Sequence, residues 1–151
     1  MTPGLTARKQ TDYIVVHCSA SKPSEDTDAA TIDRWHRQRG FTMIGYHYVI
    51  KADPDGTIES GRDEEAVGAH VVGYNSVSVG VCMVGGVTAN GPSGKPVNNF
   101  TGAQFASLTK LLKELKEKYP LAKIQGHRDF PDVAKACPSF SVEEWLGKNP
   151  I

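Results

Sequence analysis

The hydrophobic residues of the chain fall into short, nearly continuous runs and into stretches with helical spacing. The clearest run is Tyr13–Cys18, in which a tyrosine is followed directly by β-branched residues. A continuous run, unlike the alternation of a half-exposed strand, predicts a strand that is covered on both faces. Similar runs, separated by turn signals, predict further strands at 46–51, 57–60, 76–84 and 121–125.

The longest helical pattern begins after Thr101. Thr101 and Gln104 have the spacing of a capping box, in which each side chain bonds the backbone N–H of the other residue. Behind this box the apolar residues recur with helical spacing and define one face: Phe105, Leu108, Leu112, Leu115 and Tyr119. Lys and Glu residues fill the opposite side, so the apolar face is predicted to pack on a sheet.

Two shorter helices are predicted on either side of this one. Asp28 is a suitable N-cap for a helix that ends before Gly40, and Ser141 caps a short terminal helix at 141–146. Because strands and helices alternate along the chain, the sequence predicts an α/β fold with a mixed central sheet flanked by helices. We expect one domain over residues 1–151, with a flexible N-terminal segment at 1–11.

The composition excludes several classes of protein. The chain has 151 residues, with 17 Lys and Arg against 17 Asp and Glu, so it lacks the basic excess of a dedicated nucleic-acid binder. No apolar run approaches the roughly 20 residues of a membrane span, and the first residues lack the apolar segment of a secretory signal. Three cysteines are too few for a disulfide framework, which indicates synthesis in a reducing cytosol.

Three residues have the chemistry of an open zinc site. His17 and His127 lie at or just after the ends of predicted strands, where α/β proteins place functional side chains, and Cys137 follows in a loop. Two imidazoles and a thiolate leave a fourth position for water, as in catalytic zinc sites. From spacing alone, it stays open whether the three residues are related at all. It also stays open whether Tyr46 is simply a core residue and whether Lys135 is simply a solvated surface residue.

Six segments, taken together, resemble the zinc-dependent N-acetylmuramoyl-L-alanine amidases. They are IVVHCSA (14–20), GYHYVI (45–50), AHVVGYN (69–75), GVCMVGG (80–86), GHRD (126–129) and KACPSF (135–140). They occur in the same order as in the family, over nearly the whole chain. This ordered set is a far more specific signal than any single segment. The resemblance is to the phage lysozymes of amidase type, which share their fold with peptidoglycan recognition proteins.

The resemblance implies a role for each candidate residue. The family's zinc ligands, which hold one ion per chain, match His17, His127 and Cys137. The catalytic residues of the phage branch match Tyr46, where many relatives have Glu, and Lys135. His70 lies in a segment that lines the substrate cleft in relatives, which implies a substrate-binding role.

The implied reaction is hydrolysis of the amide that joins the lactyl group of muramic acid to L-Ala in peptidoglycan. Lys135 is expected to stabilise the oxyanion that forms on the attacked carbonyl, since fixed charges are a large term in catalysis. Tyr46 is expected to bond the attacking water or the departing amine. The implied biological role is that of a phage or prophage endolysin in host-cell lysis.

Partners and location follow from the same resemblance. We expect a monomer that binds peptidoglycan or muropeptides, binds no nucleic acid and does not insert into a membrane. It would accumulate in the host bacterial cytoplasm and reach the wall with the help of a holin. One alternative is a module that binds peptidoglycan without cleaving it, although such relatives have typically lost the cysteine ligand. Another is a second role as an inhibitor of a phage RNA polymerase, which one member of the family has.

Overall fold

Five strands form the centre of the computed structural model, which describes residues 1–151. Along the chain they are β1 (Tyr13–Cys18), β2 (Tyr48–Ile50), β3 (Ile58–Ser60), β4 (Ser78–Met83) and β5 (Lys123–Gly126). Their order across the sheet is β3-β2-β4-β1-β5. All neighbours are parallel except β3, which runs antiparallel to β2. The prediction of a mixed central sheet is therefore confirmed.

Three helices flank this sheet: α1 (Ala29–Gln38), α2 (Gly102–Lys118) and α3 (Val142–Lys148). Their N-termini are capped as the sequence predicts. The Asp28 carboxylate accepts the backbone N–H of Thr31, and the capping box between Thr101 and Gln104 is fully formed. The Ser141 hydroxyl accepts a backbone N–H in the first turn of α3. The side chains at these four N-terminal positions thus satisfy donors that a helix leaves free.

β5 lies further along the chain than predicted. The sequence predicted a strand at 121–125, whereas the strand is Lys123–Gly126. The Ala122 N–H donates to the Tyr119 carbonyl at 3.0 Å, so the chain is still turning at that point. Leu121 is 96% exposed and belongs to this turn. Its hydrophobic side chain was therefore misleading as a strand signal.

The strands predicted at 46–51 and 76–84 are both shorter in the structure, where they are β2 and β4. A single-turn 3-10 helix, Asn75–Val77, overlaps the predicted start of β4. Ahead of β2, the carbonyls of residues 46–47 accept the backbone N–H groups of Arg62 and Gly61 outside the regular ladder. Tyr46 is therefore held by backbone hydrogen bonds although it precedes the strand.

One face of the sheet packs on α2 and α3 and holds the largest part of the core. Alternate residues of β1 and β4 contribute to it together with the leucines of α2: Ile14, Val16, Val79, Val81, Met83, Leu108, Leu111, Leu112 and Leu115. These side chains are buried almost completely. The apolar helix face that the sequence predicted is the one that packs here.

The opposite face of the sheet is only partly covered. Ile32 of α1 and the nearby Ile44 pack on Val49 and Cys82 at one side of it. The remainder opens into a cleft of about 960 Å³. The cleft lies over the carboxyl-terminal ends of β1 and β5, where parallel strands of α/β proteins place functional residues.

The first residues of the chain lie against residues 63–66. Thr2 donates from its backbone N–H to the Asp63 carboxylate at 2.9 Å, and the Arg8 guanidinium donates to the Ala66 carbonyl at 2.9 Å. The flexibility of the segment 1–11 stays a prediction. None of the helices combines the length and the apolar character that crossing a bilayer requires.

Candidate active site

The parallel pairing of β1 with β5 brings two distant histidines together. His17 is the fifth residue of β1, and Val16 pairs with Gly126, the residue before His127. His127 begins a 3-10 turn directly after β5. The two imidazole rings have centroids 4.6 Å apart. Adjacent parallel strands that end at the same edge therefore place both side chains at the floor of the cleft.

Cys137 joins these histidines from the loop that precedes α3. The ligand atoms of His17, His127 and Cys137 all lie within 4.8 Å of one another. The Nδ1 atom of His17 faces the Cys137 sulfur at 3.9 Å. The three residues that the sequence selected as metal ligands thus form one cluster.

Backbone hydrogen bonds hold Cys137 in this position. The Cys18 N–H donates to the Cys137 Sγ at 3.2 Å, and the Arg128 N–H donates to the Cys137 carbonyl at 2.9 Å. Two residues further on, the Ser139 hydroxyl donates to the Gly86 carbonyl at 2.8 Å. The loop is therefore tied to the ends of β1, β4 and β5, and the donor from Cys18 favours a negatively charged sulfur.

The electrostatic surroundings keep both imidazoles neutral. Burial, together with the neighbouring His70 and His127, lowers the pKa of His17 well below its ordinary value. Burial and the charge of Lys135 lower the pKa of His127. The neighbouring Cys18 thiol and burial raise the pKa of Cys137, so its proton must leave when a metal binds. Neutral imidazole and thiolate are the forms that coordinate transition metals.

The donor set is suited to one class of metal ion. Two nitrogens and one sulfur match zinc or a similar transition ion, whereas magnesium and calcium require oxygen ligands. Three protein ligands at the floor of an open cleft leave a position for water or substrate, which is the arrangement of a catalytic site. The residues present therefore fit the zinc ion that the sequence analysis anticipated.

Tyr46 lies beside the metal-ligand cluster. Its ring centroid is 5.0 Å from that of His17 and 5.2 Å from that of His36. Burial raises the pKa of Tyr46 well above its ordinary value, so the phenol keeps its proton at neutral pH. A protonated phenol has one hydrogen to donate, and Tyr46 is among the residues that line the cleft. Lys135, which is exposed, lines the cleft from the loop that carries Cys137.

His70 lines the same cleft, but both of its ring nitrogens have partners within the protein. Its Nδ1 lies 2.8 Å from Nε2 of His17, and its Nε2 lies 3.2 Å from the Ser78 hydroxyl. A substrate can therefore contact the edge of the ring without finding a free nitrogen. The substrate-binding role that the sequence resemblance implied stays a prediction.

The wall formed by α1 adds residues that the sequence analysis did not connect with function. Trp35 and Arg39 line the cleft together with Phe41, and the Arg39 guanidinium lies 4.9 Å from the centre of the Phe41 ring. Trp35 is 38% exposed although it is a large aromatic residue. The available signal was the helical spacing of Ile32, Trp35, His36 and Arg39, which places all four on one face. Helical spacing alone does not distinguish a cleft wall from a core contact.

Known proteins match this chain over most of its length. The family model described as N-acetylmuramoyl-L-alanine amidase matches residues 7–140. The endolysin of Klebsiella phage KP32 is 48% identical over 146 residues, which cover 97% of this chain and 92% of the relative. The endolysin of Escherichia phage T7 is 47% identical over 144 residues, covering 95% and 91%.

Solved structures show the same fold. The endolysin N-acetylmuramoyl-L-alanine amidase LysCS from Clostridium intestinale superposes with a TM-score of 0.79 at 31% identity, covering 99% of this chain and 90% of that one. Drosophila PGRP-LB superposes with a TM-score of 0.74 at 23% identity, covering 97% and 86%. At that level of identity, PGRP-LB shows the shared fold alone.

Proposed function

The chain belongs to the N-acetylmuramoyl-L-alanine amidase family, and we propose that it cleaves the amide between N-acetylmuramic acid and L-alanine in peptidoglycan with a zinc ion held by His17, His127 and Cys137. The observation that carries the zinc assignment is the cluster of three ligand atoms within 4.8 Å of one another. The cluster lies at the floor of a cleft whose size, about 960 Å³, is adequate for a muropeptide.

Each catalytic residue then has a distinct task. When bound, a zinc ion supplies Lewis-acid activation of water and of the scissile carbonyl. The Lys135 ammonium, two residues before a metal ligand, stabilises the negative charge that develops on the carbonyl oxygen. The protonated Tyr46 phenol donates a hydrogen bond that orients the attacking water or the departing amine. Water adds to the carbonyl carbon, the C–N bond breaks, and the amine of L-Ala leaves with a proton.

The biological role follows from the phage relatives. We propose an endolysin that is made in the host cytoplasm, acts as a monomer on the cell wall and reaches the wall through a holin. Inhibition of a phage RNA polymerase also stays a prediction from the resemblance. A pull-down with the polymerase, using protein that has lost Cys137, separates such binding from wall cleavage.

One experiment tests zinc and reaction together. The purified protein is assayed for zinc content and then incubated with peptidoglycan, and the products are identified by mass spectrometry. We expect about one zinc per chain and new L-Ala amino termini on released peptides, as the ligand count implies. Removal of zinc with a chelator should stop cleavage, and added zinc should restore it.

Three outcomes of this experiment separate the hypotheses. Activity that survives complete zinc removal would contradict the zinc assignment. Zinc-loaded protein that binds muropeptides without cleaving them would instead support a binding module. Absence of both zinc and cleavage in zinc-replete buffer would overturn the ligand assignment.

A further inference from the structure

A line of hydrogen bonds runs from His17 to the backbone near the start of β4. The Ser78 hydroxyl donates to the Tyr74 carbonyl at 2.8 Å. A serine hydroxyl has one proton, so Ser78 can only accept from the other neighbour, Nε2 of His70, at 3.2 Å. His70 therefore carries its proton on Nε2.

The position of the proton on His70 determines which ring nitrogen of His17 carries a proton. A neutral His70 that is protonated on Nε2 has a lone pair on Nδ1, and that atom lies 2.8 Å from Nε2 of His17. His17 must then donate from Nε2, which leaves the lone pair of His17 on Nδ1. This is the atom of His17 that faces the Cys137 sulfur at 3.9 Å. The lone pair is thus on the nitrogen that a metal at this site requires.

The His70 ring has little freedom to leave this position. A Cβ atom at Gly80 would come within 2.8 Å of the ring, and one at Gly68 would come within 2.6 Å of it. Neither glycine has the positive φ that would by itself explain the absence of a side chain. The Asn75 side chain also accepts the backbone N–H groups of His70 and Val71, at 2.7 and 2.8 Å. The surroundings therefore provide space for one ring in one orientation.

We propose that His70 is a positioning residue, which holds His17 in the tautomer and orientation that present Nδ1 to the metal. The inference rests on the proposed function insofar as His17 is a metal ligand. Hydrogen-bond partners of this kind fix the ring of a ligating histidine, and their loss typically weakens metal binding about 10–100-fold. In this role His70 acts through His17 and has no need to contact the substrate.

The first test measures zinc affinity by competition with a chromogenic chelator. We expect His70→Ala to weaken zinc binding about 10–100-fold. His70→Asn should recover most of the affinity, because its amide oxygen can accept the His17 proton from a position close to that of Nδ1. His36→Ala is the matched control, since His36 also lines the cleft but bonds only the Gly45 N–H. We expect that control to keep wild-type affinity.

A second test uses only the wild-type protein and so does not depend on whether a variant folds. Long-range ¹H–¹⁵N spectra of the wild-type protein, recorded at neutral pH with and without zinc, distinguish the two neutral tautomers of an imidazole. We expect protons on Nε2 of both His17 and His70 in the zinc-free and zinc-loaded forms. A proton on Nδ1 of His17 in the zinc-free form would overturn the proposal.

A third variant leaves His70 in place. Gly80→Ala should displace the ring and weaken zinc binding in the same direction as His70→Ala, although no hydrogen-bonding group is removed. Unchanged zinc affinity in folded His70→Ala protein would contradict the role of His70 while leaving the zinc assignment intact. Wild-type protein that binds no zinc would contradict the proposed function instead, so the two failures are distinguishable.

Discussion

The two faces of the sheet are built from alternate residues of the same strands, yet the types of side chain on them differ. In β4, Val79 and Val81 lie on the face that packs on α2, called here the α2 face, whereas the alternate residues Ser78 and Gly80 lie next to His70 on the opposite, cleft face. The α2 face is closed by leucines that only need to fill space. The cleft face instead combines histidines with glycine and serine, whose small size and hydrogen bonds determine where each ring lies.

The difference separates stability from chemistry. The α2 face stabilises the fold through the burial of apolar surface. This contribution is non-directional and tolerates small shifts in position. On the cleft face, buried side-chain nitrogen and oxygen atoms all have hydrogen-bond partners, so each depends on one particular neighbour. We therefore expect substitutions on the α2 face to change the free energy of unfolding, and substitutions in the cleft to change metal binding and turnover.

The largest effect is expected at Cys137. Cys137→Ser replaces a thiolate by a hydroxyl that stays protonated at neutral pH and is a poor zinc ligand. Zinc content and peptidoglycan cleavage should both fall to background, while the variant keeps the melting temperature of the zinc-free wild type. Metal analysis, a muropeptide assay and thermal unfolding provide the three measurements. A Cys137→Ser protein that keeps zinc and turnover would show that the chemistry does not reside in this cluster.

The next effect is expected on the opposite face, at Leu112. Leu112 is fully buried, so Leu112→Ala should lower the free energy of unfolding by about 2–5 kcal/mol through lost contacts and a residual cavity. Well below the melting temperature, zinc affinity and kcat should stay at wild-type values. Leu121→Ala is the matched control, because Leu121 is 96% exposed and the same substitution there should change stability by only about 0.5 kcal/mol or less. Equal losses at the two leucines would refute the division into faces.

A smaller effect is expected from the exposed cation of the cleft. Lys135→Met should lower kcat by about 10²-fold, the loss typical of removing one group that stabilises an oxyanion. Zinc content and the free energy of unfolding should not change, since Lys135 is exposed. Lys123→Met provides the control, because Lys123 is an exposed lysine at the amino-terminal end of β5. A loss of kcat that is equal in both variants would point to general charge and not to a local role for Lys135.

The sequence predicted the α2 face more completely than the cleft. The leucine spacing and the capping box at Thr101 define α2 by local rules, and the continuous apolar run defines β1. The prediction failed at Leu121, which lies in a turn between Tyr119 and Ala122. Pro120, at the second position of this turn, was the available signal, and the hydrophobic side chain of Leu121 was given more weight. The bond that closes this turn is local, since it joins the Ala122 N–H to the Tyr119 carbonyl three residues earlier.

The cleft could be predicted only in part, because its contacts join residues that are far apart in sequence. The family resemblance pointed to His17, His127 and Cys137, and the parallel register of the strands brings them together. The hydrogen bond between His17 and His70 spans 53 positions and depends on the space above Gly80. Composition and spacing contain no signal for such a contact, since a glycine in a strand has many explanations.

The last prediction distinguishes the faces by the pH dependence of the free energy of unfolding. Burial lowers the pKa of His47 on the cleft side to about 4, and the imidazole is held neutral between the Ala66 carbonyl and the Gly80 N–H. In the unfolded chain the same group titrates near its ordinary value of 6.5. Between these values the unfolded state binds more protons, so stability is fully present above about pH 6.5 and is lost as the pH falls towards 4.

For a single such group the slope reaches at most about 1.4 kcal/mol per pH unit. Urea unfolding of the zinc-free protein at several pH values between these limits measures the slope, to which the other buried histidines also contribute. His47→Asn should reduce the slope, because one titrating group is removed. Leu112→Ala should lower the whole curve without changing its slope, since the core that α2 covers there is apolar. If Leu112→Ala flattened the pH dependence as much as His47→Asn, the two faces would not be energetically separate.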